Sequence, residues 1–255
     1  MFIPLTGALA AISRADWLVL AAVSGILSGG PPPAADPGAY IRALFPEERL
    51  AFIVKYAASA DVYSGLLKFR RPPRIFIRCP DDGCEPDVRH LPADLRARVP
   101  AAYGEEVDRP EAAEIEIHVA AGPRDFDRRD REVDGMLHVD AQLGSRYLFP
   151  PQPAPCRATL YFDQQRWTMV KSMIFVDSGA SPRMQYLCMA FELVRAIGVL
   201  TVPAPLFYRE LEKHPGDDPL PRLAADAYLH TSMEIAAGAS RAQALAVLKH
   251  RYDLQ

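Results

Sequence analysis

The sequence predicts an α+β fold in which a mixed or antiparallel sheet packs against helices. Several short segments alternate apolar and polar residues, or are rich in β-branched and aromatic residues, which is typical of strands. Other segments repeat apolar residues every three or four positions, which is typical of helices. One of these, residues 184–200, is apolar around nearly its whole circumference. We therefore expect it to be a central helix beneath the sheet, followed by a helical C-terminal part.

The length and charge of the chain indicate the broad class of protein to which it belongs. The chain has 255 residues, of which 49% are hydrophobic and 24% charged, and its formal net charge is −3. This length can bury a substantial core without depending on cross-links. Because the composition provides no strongly basic surface, we expect no nucleic-acid partner.

The N-terminal region has the features of an export signal or a poorly cleaved anchor. An apolar run at residues 17–27 has about the length of a signal-peptide core, and a Pro-rich linker follows it. The alternative is a short N-terminal helix packed on the domain. We expect residues 1–44 to be the signal or anchor plus linker, and residues 45–255 to be a single domain. The protein is then extracytoplasmic, either periplasmic or secreted, and contacts a membrane only through residues 17–27 if they are uncleaved.

The first half of the domain contains two predicted helices and two predicted strands. Apolar residues at helical spacing follow a proline and two glutamates, which predicts a helix in residues 46–69. Residues 73–79 are β-branched, aromatic and bounded by prolines, so we expect a strand. A second helix is expected within residues 92–107. Residues 113–121 alternate strictly, which predicts a strand with His118 on its polar face.

The next segments are predicted as a loop and three strands. Residues 122–135 carry mixed charges and are interpreted as a solvated loop, or alternatively as a calcium site, although the acids lack EF-hand spacing. A further strand is expected at residues 136–143. Strands are also predicted at residues 156–163 and 169–177, and the short connection between them is typical of antiparallel neighbours.

Two helices are predicted after the central one. The first begins near Pro219, where apolar residues follow at helical spacing. The second is indicated by Ser240 and Gln243, which have the spacing of a capping box.

The stretch "CMAFELVRAIGVL", residues 188–200, has the pattern of a zinc-peptidase helix without its metal ligands. Such a helix reads His-Glu-x-x-His with a glycine three residues later, and Phe191, Glu192, Arg195 and Gly198 occupy those four positions. Phe191 cannot bind a metal, and Arg195 would repel a divalent cation. We therefore expect no zinc or other cofactor, and Glu192 is the catalytic candidate as the remnant of the general base.

Three roles remain open for Glu192. It can form an i, i+3 ion pair with Arg195 that compensates a partly buried charge. Alternatively, Glu192 and Arg195 recognise a ligand or peptide in a cleft. The third role is in an atypical metal site, formed by Cys188 and Glu192 with His118 or His138.

The remaining motifs are less informative. The sequence contains no GxSxG, P-loop or dinucleotide-binding motif, so a nucleophilic hydrolase has no support. His90, His214, His230 and His250 lie in polar or helix-terminal segments, and their order along the chain assigns no catalytic arrangement.

Four cysteines form an even set with three possible pairings. Their spacing does not match a zinc ribbon, and disulfides are the expectation for an exported chain. Cys79 with Cys84 would close a small loop and leave Cys156 with Cys188. Buried free thiols are the alternative for the second pair.

The central helix carries a family resemblance. The motif Cys188-x-x-Phe191-Glu192-x-x-Arg195-x-x-Gly198, preceded by "APC" and a strand pair, resembles the bacterial domain-of-unknown-function 2927 family. The matching helix of that family usually reads Cys-x-x-Glu-Glu-x-x-Gln-x-x-Gly. Phe191 thus replaces the first acid of the family pattern, and Arg195 replaces its glutamine.

The resemblance spans roughly residues 45–250, because the opening helix, the first strand and the C-terminal tail are also similar. It implies an exported domain with a zincin-like fold that lacks the usual zinc ligands and has no established activity. It also favours Cys156 with Cys188 as a structural pair. We therefore expect a non-catalytic pseudo-metallopeptidase that binds a peptide or cell-envelope protein. The alternatives are a hydrolase or peptidase that uses Glu192 with an atypical metal site, and a purely structural domain.

Overall fold

A computed structural model describes residues 36–137, 143–148, 155–200 and 218–254. Within these ranges the helices are α1 Pro37–Ala43, α2 Pro46–Ala57, α3 Ser59–Tyr63, α4 Pro86–Arg98, α5 Arg124–Leu137, α6 Pro182–Ala196, α7 Leu220–His230 and α8 Arg241–Arg251. The strands are β1 Ile75–Arg78, β2 Ile115–Ala120, β3 Leu143–Leu148, β4 Cys156–Asp163 and β5 Thr168–Asp177.

The strands form one mixed sheet in the order β1-β2-β5-β4-β3. Strands β1, β2 and β5 run parallel to one another, whereas β4 pairs antiparallel with both β5 and β3. The predicted α+β class is therefore confirmed, as is the antiparallel pairing of residues 156–163 with 169–177. The parallel half arises because α5, β3 and β4 separate β2 from β5 in the chain, which lets β5 return in the direction of β2.

Helix α6 packs on one face of the sheet against β4 and β5, and its other sides contact α4 and α7. Alternation along β5 shows how the two faces divide. Ile174 and Val176 join the main core with α6, whereas Met173 and Phe175 point to the opposite face and pack against α5. The predicted position of the central helix is confirmed.

Helix α5 corrects the prediction of a solvated loop at residues 122–135. Phe126 and Val133 are buried on one side of this helix, where they contact the sheet. Arg128 and Glu132 pair at i, i+4 on its exposed side. Many of the charges lie on the solvent-facing side of an amphipathic helix, whereas Asp130 is buried beneath it. A high density of charged residues therefore does not by itself indicate a loop.

Two further boundaries differ from the prediction. The helix expected within residues 92–107 is α4, which begins earlier, at Pro86, and ends at Arg98. Helix α5 continues to Leu137, into the strand expected at residues 136–143, and the observed strand β3 begins only at Leu143.

The folded part begins before residue 45. Helix α1 falls within the predicted linker, yet it packs against α7 and its Ile41 is fully buried. The apolar run at residues 17–27 lies outside the described residues. Among the residues that are described, no helix is long and apolar enough to cross a membrane.

Capping residues account for the ends of several helices. The hydroxyl of Ser181 accepts a hydrogen bond from the Met184 amide at the start of α6. At α8, Ser240 and Gln243 form the predicted capping box. Gly198 follows α6 with a φ of +108°, and a Cβ there would collide with the carbonyl oxygen of Leu67. Glycine is therefore needed where the chain leaves the central helix.

Candidate functional site

Helix α6 is buried on every side. From Leu187 to Ala196 each residue is buried, because the helix lies between the sheet, α4 and α7. Its apolar side chains fill this position, so the two charged residues, Glu192 and Arg195, enter the core with them. The site predicted from the sequence is thus in the interior of the protein.

Glu192 and Arg195 form a closed ion pair. The Nη1 atom of Arg195 donates to Oε1 and Oε2 of Glu192, at 2.7 and 3.0 Å. Glu192 has a relative exposure of 0% and Arg195 of 8%. The Arg195 guanidinium also lies over the Phe191 ring, 5.3 Å from its centroid. The geometry of the i, i+3 pair agrees with the first of the three roles predicted for Glu192.

A cysteine pair adjoins the carboxylate. Cys156 on β4 and Cys188 on α6 lie at disulfide distance, with Cα atoms 5.9 Å apart. The Cys156 sulfur is 3.9 Å from Oε1 of Glu192. Cys79 and Cys84 form a second pair, with Cα atoms 5.2 Å apart. The carboxylate of Glu192 therefore lies between the guanidinium of Arg195 and the sulfur of Cys156.

Burial raises the pKa of Glu192, and the adjacent Arg195 acts in the opposite direction. A raised pKa is also found in catalytic acids and bases, so the shift alone does not separate catalysis from structure. The accessibility of the carboxylate does separate a catalytic role from a structural one. A general base must reach a substrate or a water molecule, whereas both oxygens of this carboxylate accept hydrogen bonds inside the core.

Among the described residues, His118 is not brought to Cys188 and Glu192, as one form of the alternative metal site requires. Cys188 is paired with Cys156, and His118 belongs to the opposite face of the sheet, where it packs against Phe126 of α5. His138 lies outside the described residues. Across the described ranges, no three His, Cys, Asp or Glu side chains are grouped so that they could hold a metal ion.

A second buried carboxylate, Glu116, lies outside the predicted site. Glu116 on β2 has a relative exposure of 0% and accepts hydrogen bonds from Arg129 of α5 at 3.0 and 3.1 Å. Its Oε1 is also 2.5 Å from Nζ of Lys171, and Oε2 is 3.2 Å from Nε2 of His118. Burial alone would raise the pKa of Glu116, but hydrogen bonds from His118, Arg129 and Lys171 lower it to about 2.

The sequence pattern of β2 predicts part of this cluster around Glu116. Strand alternation places Glu116 and His118 on the same face, as predicted, but that face is buried beneath α5 rather than exposed to solvent. The apolar spacing of Phe126 and Val133, seven positions apart, would have indicated the helix that covers it.

His230, the last residue of α7, is buried. Its Nδ1 lies 3.2 Å from the Tyr56 hydroxyl, and its Nε2 is directed towards Gly198 at the end of α6. Burial is the main cause that lowers the pKa of His230, to about 3, and nearby Lys68 contributes. The imidazole is therefore neutral at pH 7 and acts as a packing and hydrogen-bonding group.

No protein-family model, curated protein or solved structure matches the chain. The resemblance to the domain-of-unknown-function 2927 family stays a prediction from the motif around α6. What the residues themselves establish is an α+β domain whose central helix carries a buried Glu192–Arg195 pair beside a cysteine pair.

Proposed function

We propose that this chain is an extracytoplasmic, zincin-like domain that does not catalyse peptide hydrolysis and that binds a peptide or cell-envelope partner. The observation that carries the proposal is the burial of Glu192, whose two oxygens both accept hydrogen bonds from Arg195. A metallopeptidase helix needs its glutamate next to a metal-bound water. In this helix the guanidinium of Arg195 lies against the carboxylate instead.

The location rests on the cysteines and the N-terminus. Two cysteine pairs at disulfide distance suit an oxidising compartment, where such bonds persist. The apolar run at residues 17–27 supports export. The missing metal ligands and the retained helix pattern support binding of a peptide or an envelope protein in place of catalysis.

The catalytic part of the proposal is tested with the full chain purified in its oxidised form. The protein is incubated with zinc and dialysed, its metal content is measured, and hydrolysis of a mixed peptide library is followed. We expect less than stoichiometric zinc and no hydrolysis above the buffer control. Stoichiometric zinc together with peptide cleavage that is lost in Glu192→Gln would contradict the proposal. Glu132→Gln, on the exposed side of α5, is the matched control.

The binding part is tested by sedimentation with purified cell envelope from the native host. We expect the wild-type domain to sediment with the envelope and to resist a salt wash. Recovery of the protein only in the supernatant, at low and high salt, would favour a purely structural domain instead.

A further inference from the structure

A cavity with an arginine-rich lining lies at one end of the inner strands, where β4 ends and β5 begins, away from α6. It has a volume of about 320 Å³ and is formed by the loop before β1, the start of β5 and the turn between β4 and β5. Small-molecule sites in proteins commonly begin at about this size. Since none of its lining residues belongs to α6, the cavity is separate from the proposed role of Glu192.

The lining is positively charged. Three guanidinium groups, from Arg70, Arg71 and Arg166, face two carboxylates, from Glu114 and Asp163. Arg70 is exposed and forms no ion pair with any residue in the described ranges. The lining therefore keeps at least one guanidinium that is available to an anion.

The two carboxylates are already occupied by other donors. Glu114 accepts hydrogen bonds from the backbone amide of Arg74 at 2.8 Å and from its guanidinium at 3.0 and 3.2 Å. Arg71, whose side chain is 69% exposed, shares the same carboxylate. Because Arg74 satisfies Glu114 by itself, Arg71 can turn towards a ligand without leaving a buried charge unpaired.

Arg166, like Arg71, has only a weak ion pair with the carboxylate next to it. The Oδ1 atom of Asp163 accepts hydrogen bonds from the backbone amides of Gln165 and Arg166, which fixes the turn between β4 and β5. The nearest approach of the Arg166 guanidinium to Asp163 is 3.7 Å, at an exposed position. This arginine therefore also retains donors for an anion.

The floor of the cavity is apolar. Phe69, Met169 and Val170 line it, and Met169 is almost fully buried. Pro72 and Pro73 follow the two arginines directly and restrict the backbone of the loop that carries them. The cavity thus combines a restrained cationic rim with an apolar surface at its base.

We infer that this cavity binds a phosphate monoester attached to an apolar group, with Arg70, Arg71 and Arg166 contacting the phosphate. Guanidinium groups match phosphate oxygens in a bidentate geometry, which explains a rim built from arginine rather than lysine. The apolar floor accepts the organic part of the ligand. Such a phosphate occurs on small soluble metabolites and on the headgroup of a simple acidic lipid, and the test distinguishes these sources.

The test is calorimetric titration of the full chain with phenyl phosphate and with inorganic phosphate. We expect saturable binding of phenyl phosphate, with weaker binding of inorganic phosphate because it leaves the apolar floor unfilled. Arg70→Ala and Arg166→Ala should each weaken the affinity about tenfold, the loss expected for one charge-assisted contact. Arg70→Lys should give an intermediate loss, since it keeps the charge without the bidentate geometry.

Arg96→Ala is the matched control, because Arg96 is an exposed arginine of α4 outside the cavity. In a parallel experiment, vesicles of phosphatidylcholine with or without phosphatidic acid are sedimented with the protein. Binding to acidic vesicles that is lost in Arg70→Ala supports a lipid source, and binding to phenyl phosphate alone supports a soluble one. The inference is overturned if neither probe binds, or if Arg70→Ala and Arg166→Ala bind as tightly as Arg96→Ala.

Discussion

At the scale of single residues, two buried glutamates meet opposite electrostatic environments. Glu192 has one cationic partner, Arg195, and burial raises the pKa of its carboxyl. Glu116 lies among Arg129, Lys171 and His118, and hydrogen bonds from these groups outweigh burial and lower its pKa. The number of donors that reach the carboxylate decides the direction of the shift. Only the second glutamate should therefore strengthen the fold progressively as the pH rises from strongly acidic values.

Glu116 should make the stability of the protein depend on pH in the acid range. Its pKa in the folded protein is about 2, below the ordinary value of 4.5. A depressed pKa contributes stability that is complete above pH 4.5 and is lost as the pH falls towards 2. We expect the contribution to reach roughly 3 kcal/mol, at about 1.4 kcal/mol per pKa unit.

The measurement is the free energy of unfolding in urea, taken between pH 2 and pH 7 for the wild type and for Glu116→Gln. The difference between the two proteins should be largest near neutral pH and should shrink on acidification. Two curves that stay parallel over the whole range would show that Glu116 titrates normally in the folded protein.

At the scale of elements, helix α5 determines that both faces of the sheet are buried. It converts the polar face of β2 into an interior, in which Asp130 accepts a hydrogen bond from the Tyr161 hydroxyl at 2.6 Å and Arg157 lies over the Phe126 ring. The sheet is therefore covered by α6 on one face and by α5 on the other. His118 is enclosed as a result and cannot serve the α6 face.

Helix α5 should respond to substitution as a packed helix and not as a loop. Phe126→Ala should lower the free energy of unfolding by about 3–5 kcal/mol, since it removes a buried ring. Gly135→Ala should raise it by about 0.5–1 kcal/mol, because Gly135 lies in the helix with open space around it. Chemical denaturation of both variants tests this, with the exposed Arg131→Ala as control. If both variants behave like that control, α5 is not a packed helix.

The elements show which parts of the fold a sequence can predict. Strands β2, β4 and β5 and helices α6, α7 and α8 agree with the predicted segments because their own apolar periodicity or capping residues define them. Helix α5 was missed because its apolar stripe is narrow and its charges dominate the composition. The parallel pairing of β2 with β5 depends on contacts between distant segments, which local patterns do not contain.

The candidate site, too, could be predicted only where local sequence spacing defines it. Sequence spacing was sufficient to place Glu192 and Arg195 on adjacent turns of one helix, and to rule out Phe191 as a ligand. It could not give their depth in the core, which arises from α4, α7 and the sheet together. The cavity near Arg70 could not be predicted from the sequence either, because three separate segments form it.

At the scale of the whole molecule, the two cysteine pairs connect positions at very different separations along the chain. Cys156–Cys188 connects β4 to the central helix over 32 positions of sequence, whereas Cys79–Cys84 closes a loop over only 5. A bond that closes a longer loop removes more entropy from the unfolded chain. A disulfide in the first pair would therefore tie the sheet to α6, and one in the second would restrain one surface loop.

Removal of the two cysteine pairs should have unequal effects. Replacing Cys156 and Cys188 with alanine should cost about 3.7 kcal/mol of stability, and replacing Cys79 and Cys84 about 2 kcal/mol, according to loop-closure entropy. Thermal and urea unfolding of the two double variants, under oxidising conditions, checks the order. Equal stability of wild type and both variants would show that the bonds do not form in solution.

We infer that Glu192 acts as the buried partner of Arg195 and not as a catalytic base. Urea unfolding of Glu192→Ala, Arg195→Met and the double variant Glu192→Leu/Arg195→Met tests it most directly. We expect Glu192→Ala to lose about 3–5 kcal/mol, because Arg195 is left as an uncompensated buried charge. The double variant should recover most of that loss, since apolar side chains can fill the same space. A Glu192→Ala protein within about 0.5 kcal/mol of the wild type would contradict the claim, since a carboxylate kept for catalysis can be removed without loss of stability.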